Sequence, residues 1–186
     1  MLTRFFAAEY SLWFDVTLTG IQSLDSTIPL GGTSNHFRTE KLRELQGWDP
    51  FNVTEDADLG IRLFQRGYKT AIIDSTTLEE ATSNVQNWLR QRSRWTKGYM
   101  QTYLVHTRNI FGFVRTSGIK HHAIFQLTVG GKLLFMLLNP LLWVVTFFYF
   151  AAYPVVGPTL EAMYVAPFSY VAVASWIFGN FLFLYY

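Results

Sequence analysis

Residues Leu133 to Tyr153 read LLFMLLNPLLWVVTFFYFAAY. No charge interrupts this run of about 20 residues, and at about 1.5 Å rise per residue it matches the roughly 30 Å hydrocarbon layer of a bilayer. It predicts a transmembrane helix. Asn139-Pro140 falls inside it and predicts a kink, which a membrane tolerates when neighbouring groups satisfy the freed carbonyl. A second apolar run goes from about 165 to 186, the end of the chain. Pro154, Gly157, Pro158 and Glu161 separate the two runs and predict a turn. The alternative is a buried hairpin in a soluble core, but two runs of this length exceed ordinary core helices. The chain ends in apolar sequence with no polar flank, which reads as a piece of something longer.

Upstream of this tail the chain is a different material. All 15 Lys and Arg lie between Arg4 and Lys132, with 12 of the 13 acids, a net charge of +3 for that part. From Leu133 onward Glu161 is the single charge. Lys120 and Lys132 precede the first span and the connecting turn carries no base, so the positive-inside rule puts residues 1–132 in the cytoplasm. Arg4, Glu9 and Asp15 interrupt the N-terminus, which therefore lacks a signal-peptide pattern. The chain is 15% charged and 18% aromatic, against about 25% charged for a soluble domain. Zero Cys excludes a disulfide-stapled module, a zinc finger, an iron–sulfur site and a thiol nucleophile. The overall charge of +2 does not suggest a nucleic-acid binder.

The charged part reads as helix, loop, helix, helix, strand, helix. Leu2 to Thr19 is a mostly apolar helix ending at Gly20, followed by a loop from Ser23 to Asn35. Thr39 caps a short helix, Glu40 to Gln46, stopped by Gly47; Thr54 caps another, Glu55 to Arg66, stopped by Gly67. Lys69 to Asp74 reads as a short buried strand, and Ser83 caps a long helix to about Arg108. This order suits part of an α/β domain over residues 1–108, then an interfacial segment, 109–132, and two spans at 133–153 and 165–186.

Three segments could carry chemistry. Glu55, Asp56 and Asp58 open a helix, where the dipole favours carboxylates; they are ordinary first-turn acids, or one is a general base at the edge of a cleft. Asp56-Ala57-Asp58 spells D-x-D, but positions i and i+2 point about 200° apart on a helix and would not chelate one ion together. Gln91, Arg94 and Trp95 share a helix face, with Trp88 a turn earlier. They offer an amide, a phosphate clamp and a stacking surface. The competing reading is an amphipathic helix on the membrane. Trp88, Trp95, Tyr99 and Tyr103 would then face apolar groups, and Arg90, Arg92 and Lys97 would face lipid phosphates. Gly31-Gly32-Thr33-Ser34-Asn35 is a close-approach loop or a plain turn, and not a phosphate-binding P-loop. His36, His106, His121 and His122 lack metal spacing and read as structural.

In combination, GGTSNHFR at 31–38, GWDPFNVTEDADLGIRLFQRGY at 47–68, QRSRW at 91–95 and the apolar runs after them resemble the membrane-embedded family 2 glycosyltransferases. These are the cellulose, hyaluronan, chitin and related β-glycan synthases. The resemblance implies an inverting transfer from a nucleotide diphosphate sugar, UDP-glucose first among them, to a growing β-glycan. It implies Asp56 as general base with Glu55 shaping the pocket. Gln91 and Arg94 would hold the donor diphosphate, Trp95 would stack under the acceptor sugar, and Gly32, Thr33 and Ser34 would form the acceptor-side loop. It implies a partial GT-A-type α/β domain at the inner or plasma membrane. It also implies magnesium or manganese, whose D-x-D ligands would lie upstream of the region present, so no metal ligand is expected here. Partners would be the nucleotide sugar, a polysaccharide or lipid acceptor, and membrane lipid. Two alternatives stand: a non-processive transferase to a lipid acceptor, and a non-catalytic membrane adaptor or remnant.

Overall fold

A computed structural model describes residues 1–163 together with 170, 171, 174, 175 and 178. Among them the chain is helical: α1 (Leu2–Ser11), α2 (Thr19–Ser23), α3 (Thr39–Glu44), α4 (Glu55–Gln65), α5 (Val85–Thr107), α6 (Ile110–Ser117), α7 (Ile119–Phe125) and α8 (Gly131–Met163). Residues Met1–Leu133 form one compact unit and Leu134–Tyr186 a second.

The first unit begins with a helical arm that does not stop at Gly20. A π-helical stretch, Leu12–Leu18, joins α1 to α2, which ends at Ser23. Its wider turns are closed by threonines five residues on: Thr17 Oγ1 donates to the Leu12 carbonyl at 3.0 Å, and Thr19 Oγ1 to that of Phe14 at 3.3 Å. Leu18 and Ile21 of this arm pack on Ile28, with Trp13, Phe14 and Ile124 around them.

The segment 69–74 is not a strand. A strand needs a ladder partner, and none of the described residues supplies one. It is instead held by side chains: Gln22 Oε1 accepts from the Ile72 N–H at 2.5 Å, and Lys69 pairs with Asp25 at 2.8 Å.

The helix starts shift by a residue or so from the sequence reading. Thr39 is the first residue of α3, and Arg38 is its N-cap. Thr54 precedes α4 without a side-chain cap bond. Asn84, not Ser83, caps α5, accepting from the Asn87 N–H at 3.1 Å. Gly47 and Gly67 do end their helices, both with φ in the left-handed region, +70° and +80°.

Helix α4 is the centre of this unit, with Leu59 and Ile61 fully buried. Leu59 and Leu63 meet Leu45, Phe37 and Leu42 on one side. Ile61 meets Phe113, Phe125, Val129 and Leu133 on the other, against Tyr99 and Tyr103. A polar seam then fixes the start of α4 on α5. Asn52 Nδ2 donates to Thr102 Oγ1 at 2.7 Å, while Asn52 Oδ1 accepts from the Thr54 backbone N–H at 3.1 Å. Asp58 Oδ1 lies 2.8 Å from His106 Nε2. An ionised carboxylate only accepts, so His106 carries that hydrogen. Arg62 grips the other Asp58 oxygen at 2.7 Å and the Leu45 and Gly47 carbonyls at 2.8 Å each, tying in the end of α3. Asn52, Thr54 and Asp58, and the α5 side chains Thr102 and His106 that they meet, are buried.

The second unit is the apolar helix. Helix α8 runs unbroken through Asn139-Pro140 and through the region expected to turn, to Met163. With α7 and the π-helical Gln126–Gly130 it contains one candidate span, Ile119–Val155, whose most apolar window is only 6% buried within the chain. A core helix would be covered; this one presents its apolar side chains outward. The second expected span, 165–186, lies for the most part outside the described residues.

The seam yields two predictions. A Cβ on Gly98 would stand 2.5 Å from Thr54 Cγ2 and 2.7 Å from its backbone nitrogen. Gly98→Ala must therefore separate α4 from α5 and should cost about 1–3 kcal/mol; an unchanged melting temperature in detergent would show that the helices are not so close. Asp58 is pushed up by burial, but hydrogen bonds from His106 and Arg62 outweigh this and leave it below the ordinary carboxylate range. A native-state value below the unfolded one stabilises the fold above the unfolded pKa, and that stability is lost as pH falls through the native one. Stability should therefore fall on acidification below the ordinary carboxylate range, and Asp58→Asn should flatten that fall in a series of melts.

Candidate active site

Asp56 is the second residue of α4, where the first backbone N–H groups are unpaired within the helix. Its Oδ1 accepts from the Ala57 N–H at 2.7 Å. Its Oδ2 faces the Gly31–Ser34 loop so closely that a Cβ on Gly32 would stand 3.0 Å from it. The side chain is half-buried, and burial pushes its pKa up. The Ala57 N–H opposes this and the Glu55 charge adds to it. Burial wins over the helix terminus, and the carboxylate is left more basic than an ordinary aspartate.

The loop itself is braced from three sides. Asn35 Nδ2 donates to the Gly31 carbonyl at 2.6 Å, and Ser34 and Thr77 hydroxyls meet at 2.5 Å. The Phe14 ring lies against Gly31, leaving no room there for a side chain. Gly32, Thr33 and Ser34 stay exposed. The structure thus brings Asp56 and the Gly32 loop together, a juxtaposition across 24 residues that spacing alone does not reveal.

On α5 the aromatic face turns inward, toward the protein. Trp95 is half-buried, with ring centroids 6.5 Å from Phe6 and 6.4 Å from Tyr10 of α1. Tyr99 and Tyr103 pack on the Ile61 cluster, so the apolar groups they face belong to the protein itself. Arg92, which the amphipathic-helix reading set facing lipid phosphates, points inward and pairs with Glu9. The outward face carries Leu89, Arg90, Arg94, Lys97, Met100 and Leu104.

Two tyrosines connect the parts. Burial is the first cause pushing the Tyr10 hydroxyl up to about 12, and the charges of Glu79, Glu9 and Asp56 add to it against Arg92. Tyr99 is likewise raised by burial, then by Asp56, Tyr10 and Glu9. Both are neutral at physiological pH and lie within the field of Asp56. Lys132 sits over the Tyr99 and Trp13 rings at 4.7 and 4.4 Å, a cation on the aromatic face of the same region.

Gln91 and Arg94, expected to hold a diphosphate, have different surroundings. The Gln91 amide oxygen is shut away from solvent with no hydrogen-bond partner. Arg94 is exposed and makes no ion pair among the described residues. Neither touches Asp56 in these contacts. An open groove of about 750 Å³ lies along the other side of α5, lined by Phe51, Ser93, Thr96, Lys97, Met100, Gln101 and Leu104. It contains none of the expected site residues. Among the described residues no three acids or histidines converge as a metal site. His106 and His121 instead bond Asp58 and Ser26.

The sequence reading missed Glu9, Phe6 and Tyr10 as neighbours of Trp95, and Asn52, Gly98 and Thr102 as the seam. The i, i+4 and i+7 spacing of Trp88, Arg92 and Trp95 puts them on one face, a signal that could have set Arg92 among the rings; Glu9, 83 residues away, left no such signal.

The chain is 27% identical over 160 residues, 86% of its own length and 34% of the relative's, to the "Probable glycosyltransferase YdaM" of Bacillus subtilis. It is 30% identical over 98 residues, 52% of its length and 13% of the relative's, to the "Cellulose synthase catalytic subunit [UDP-forming]" of Komagataeibacter sucrofermentans. Over 81 residues, 42% of the chain and 17% of the relative, it is 33% identical to the "Beta-monoglucosyldiacylglycerol synthase" of Synechocystis. The chain therefore spans a third or less of the length of these relatives. No solved structure matches. Residues 1–185 match the family described as "Glycosyl transferase family group 2", and the chain belongs to that family of glycosyltransferases.

Proposed function

We propose that this chain is the acceptor-side part of a membrane-embedded, inverting β-glycosyltransferase. The observation that carries the reading is Asp56: a half-buried carboxylate of raised pKa, on a rigid helix start, facing the Gly32 loop. An acceptor hydroxyl between loop and carboxylate would lose its proton to Asp56. Its oxygen would form the new bond to the anomeric carbon as the bond to the diphosphate oxygen breaks, so the nucleotide diphosphate leaves and the anomeric centre inverts. Glu55 adds negative charge beside Asp56 and keeps it basic.

Gln91 and Arg94 would take the departing diphosphate. The exposed Arg94 guanidinium is open to a ligand and suits a bidentate phosphate grip, while Gln91 would contribute its amide N–H groups. Trp95 would supply the flat surface under the acceptor sugar. UDP-glucose is the proposed donor and a β-glucan the proposed acceptor. The apolar stretch from Leu133 onward, within the candidate span Ile119–Val155, would hold the site at the membrane, with residues 1–132 on the cytoplasmic side. The sequence after it would add a second span. A glycerolipid acceptor is the second reading, favoured by the alignment with the monoglucosyldiacylglycerol synthase. Product length separates the two, since one gives polymer and the other a single added sugar.

In the full-length protein, Asp56→Asn should lower kcat by roughly 10²–10⁴-fold while donor binding persists; retained turnover would remove Asp56 from the role of base. The pH profile gives an independent check. Asp56 must be ionised to accept a proton, so transfer should fall on acidification with a midpoint above the ordinary carboxylate value. Arg94→Ala should weaken UDP-glucose binding by about 10- to 100-fold, as a charge-assisted contact is lost, and unchanged affinity would refute the clamp.

A further inference from the structure

The Arg92 guanidinium lies among the aromatic rings of the α5 face. Its Cζ lies 4.9 Å from the Trp95 ring centroid, 5.3 Å from that of Trp88 and 5.9 Å from that of Phe6. It forms a two-pronged ion pair with Glu9 of α1. Both side chains are largely covered, 20% exposed for Arg92 and 31% for Glu9. The Arg92 Nε is enclosed with no hydrogen-bond partner. The Arg92 carbonyl accepts from Thr96 Oγ1 at 2.9 Å, which holds the turn that carries Trp95.

This arrangement is not the cheapest way to join two helices. A largely buried ion pair loses hydration, and apolar packing of the same volume is often as stable or better. What a charged pair supplies is direction. A bidentate carboxylate–guanidinium contact fixes the plane of the guanidinium, and that plane lies over the Trp95 indole. Phe6 and Tyr10 stack on each other at 4.3 Å, and both rings lie tilted against Trp95. Rotation of the indole away from this wall would break the cation–aromatic contact and open a gap beside Phe6.

We propose that Glu9 and Arg92 are positioning residues for acceptor binding: the pair locks the Trp95 indole in the orientation on which a β-glucan sugar stacks. The inference rests on the reading of Trp95 as the acceptor platform. It assigns a function to the N-terminal arm, which otherwise only packs. Arg92 does not touch the sugar in this account; it acts through Trp95. The next helical positions behave differently, because Arg90 and Arg94 are exposed and free to meet phosphate.

The test uses the full-length protein in lipid nanodiscs. Cellotetraose and UDP-glucose binding are measured separately by calorimetry for wild type, Trp95→Ala, Arg92→Gln, Arg92→Lys, Glu9→Gln and the Arg92→Gln/Trp95→Ala double variant. Arg92→Gln and Glu9→Gln should each weaken cellotetraose binding by about 10-fold and leave UDP-glucose binding within about twofold. Arg92→Lys should recover only part of the loss, since it keeps a cation near the ring but not the fork that fixes its direction. The double variant should bind no worse than Trp95→Ala alone, because both changes remove the same platform. Arg92→Lys and Glu9→Gln keep the test open should Arg92→Gln fold poorly, and melting curves identify that case. If Trp95→Ala weakens cellotetraose binding but well-folded Arg92 and Glu9 variants do not, the positioning role is overturned while the platform stands. Additive losses in the double variant also overturn it. If wild type does not bind cellotetraose, or Trp95→Ala binds normally, the platform reading fails and takes this inference with it.

Discussion

The polar seam between the start of α4 and the middle of α5 is the constraint on which the first unit depends. Asn52, Thr54, Thr102, Asp58 and His106 are buried and bond one another across that seam. A buried polar group without a partner costs about 1–3 kcal/mol, so these side chains tolerate essentially one docking register. Gly98 lets the backbones close onto that register without a side chain between them. The consequence is geometric. Asp56 lies two residues from both Thr54 and Asp58, and Trp95 lies one turn from Gly98. A slip of α5 by one residue would break the seam before it moved either group.

Around this seam the aromatic content finds its use. Phe6, Tyr10 and Phe14 of the N-terminal arm continue the aromatic face of α5 and reach the Gly31 loop. The arm thus touches both halves of the candidate site, Trp95 on one side and the loop facing Asp56 on the other. A π-helical stretch falls within it, Leu12–Leu18. Wider turns of this kind re-aim the side chains before and after them, here Tyr10 before the stretch and Ile21 after it. The arm is more than an apolar lead-in to the domain.

Much of this was legible in the sequence. Caps and glycine stops bounded α3, α4 and α5 to within a residue or two, because those signals are local. The apolar run at 133–153 gave a membrane-length helix, because composition alone decides that. Three features were not legible, each for a physical reason. Residues 69–74 have the composition of a strand, but a strand is a property of two segments, and no described segment pairs with them. Pro154, Gly157 and Pro158 read as a turn, yet α8 continues to Met163; a helix-breaking propensity of a few kcal/mol is overridden where the surrounding sequence is strongly apolar. Arg92 read as an outward base because a helical wheel ranks arginine with the polar face. Only Glu9 reveals that it turns inward. At the site, Asp56 and Trp95 were found by resemblance, whereas the Gly32 contact and the Arg92 ladder needed the fold.

The central claim is a single displacement in which Asp56 takes the acceptor proton and the anomeric centre inverts. The most direct measurement is the configuration of the bond made. Full-length protein in membranes would be given UDP-glucose, an α-linked donor, and the anomeric proton coupling of the new linkage would be read by nuclear magnetic resonance. The account predicts a β linkage throughout. An α linkage would require two displacements or a different face of attack, and would contradict it.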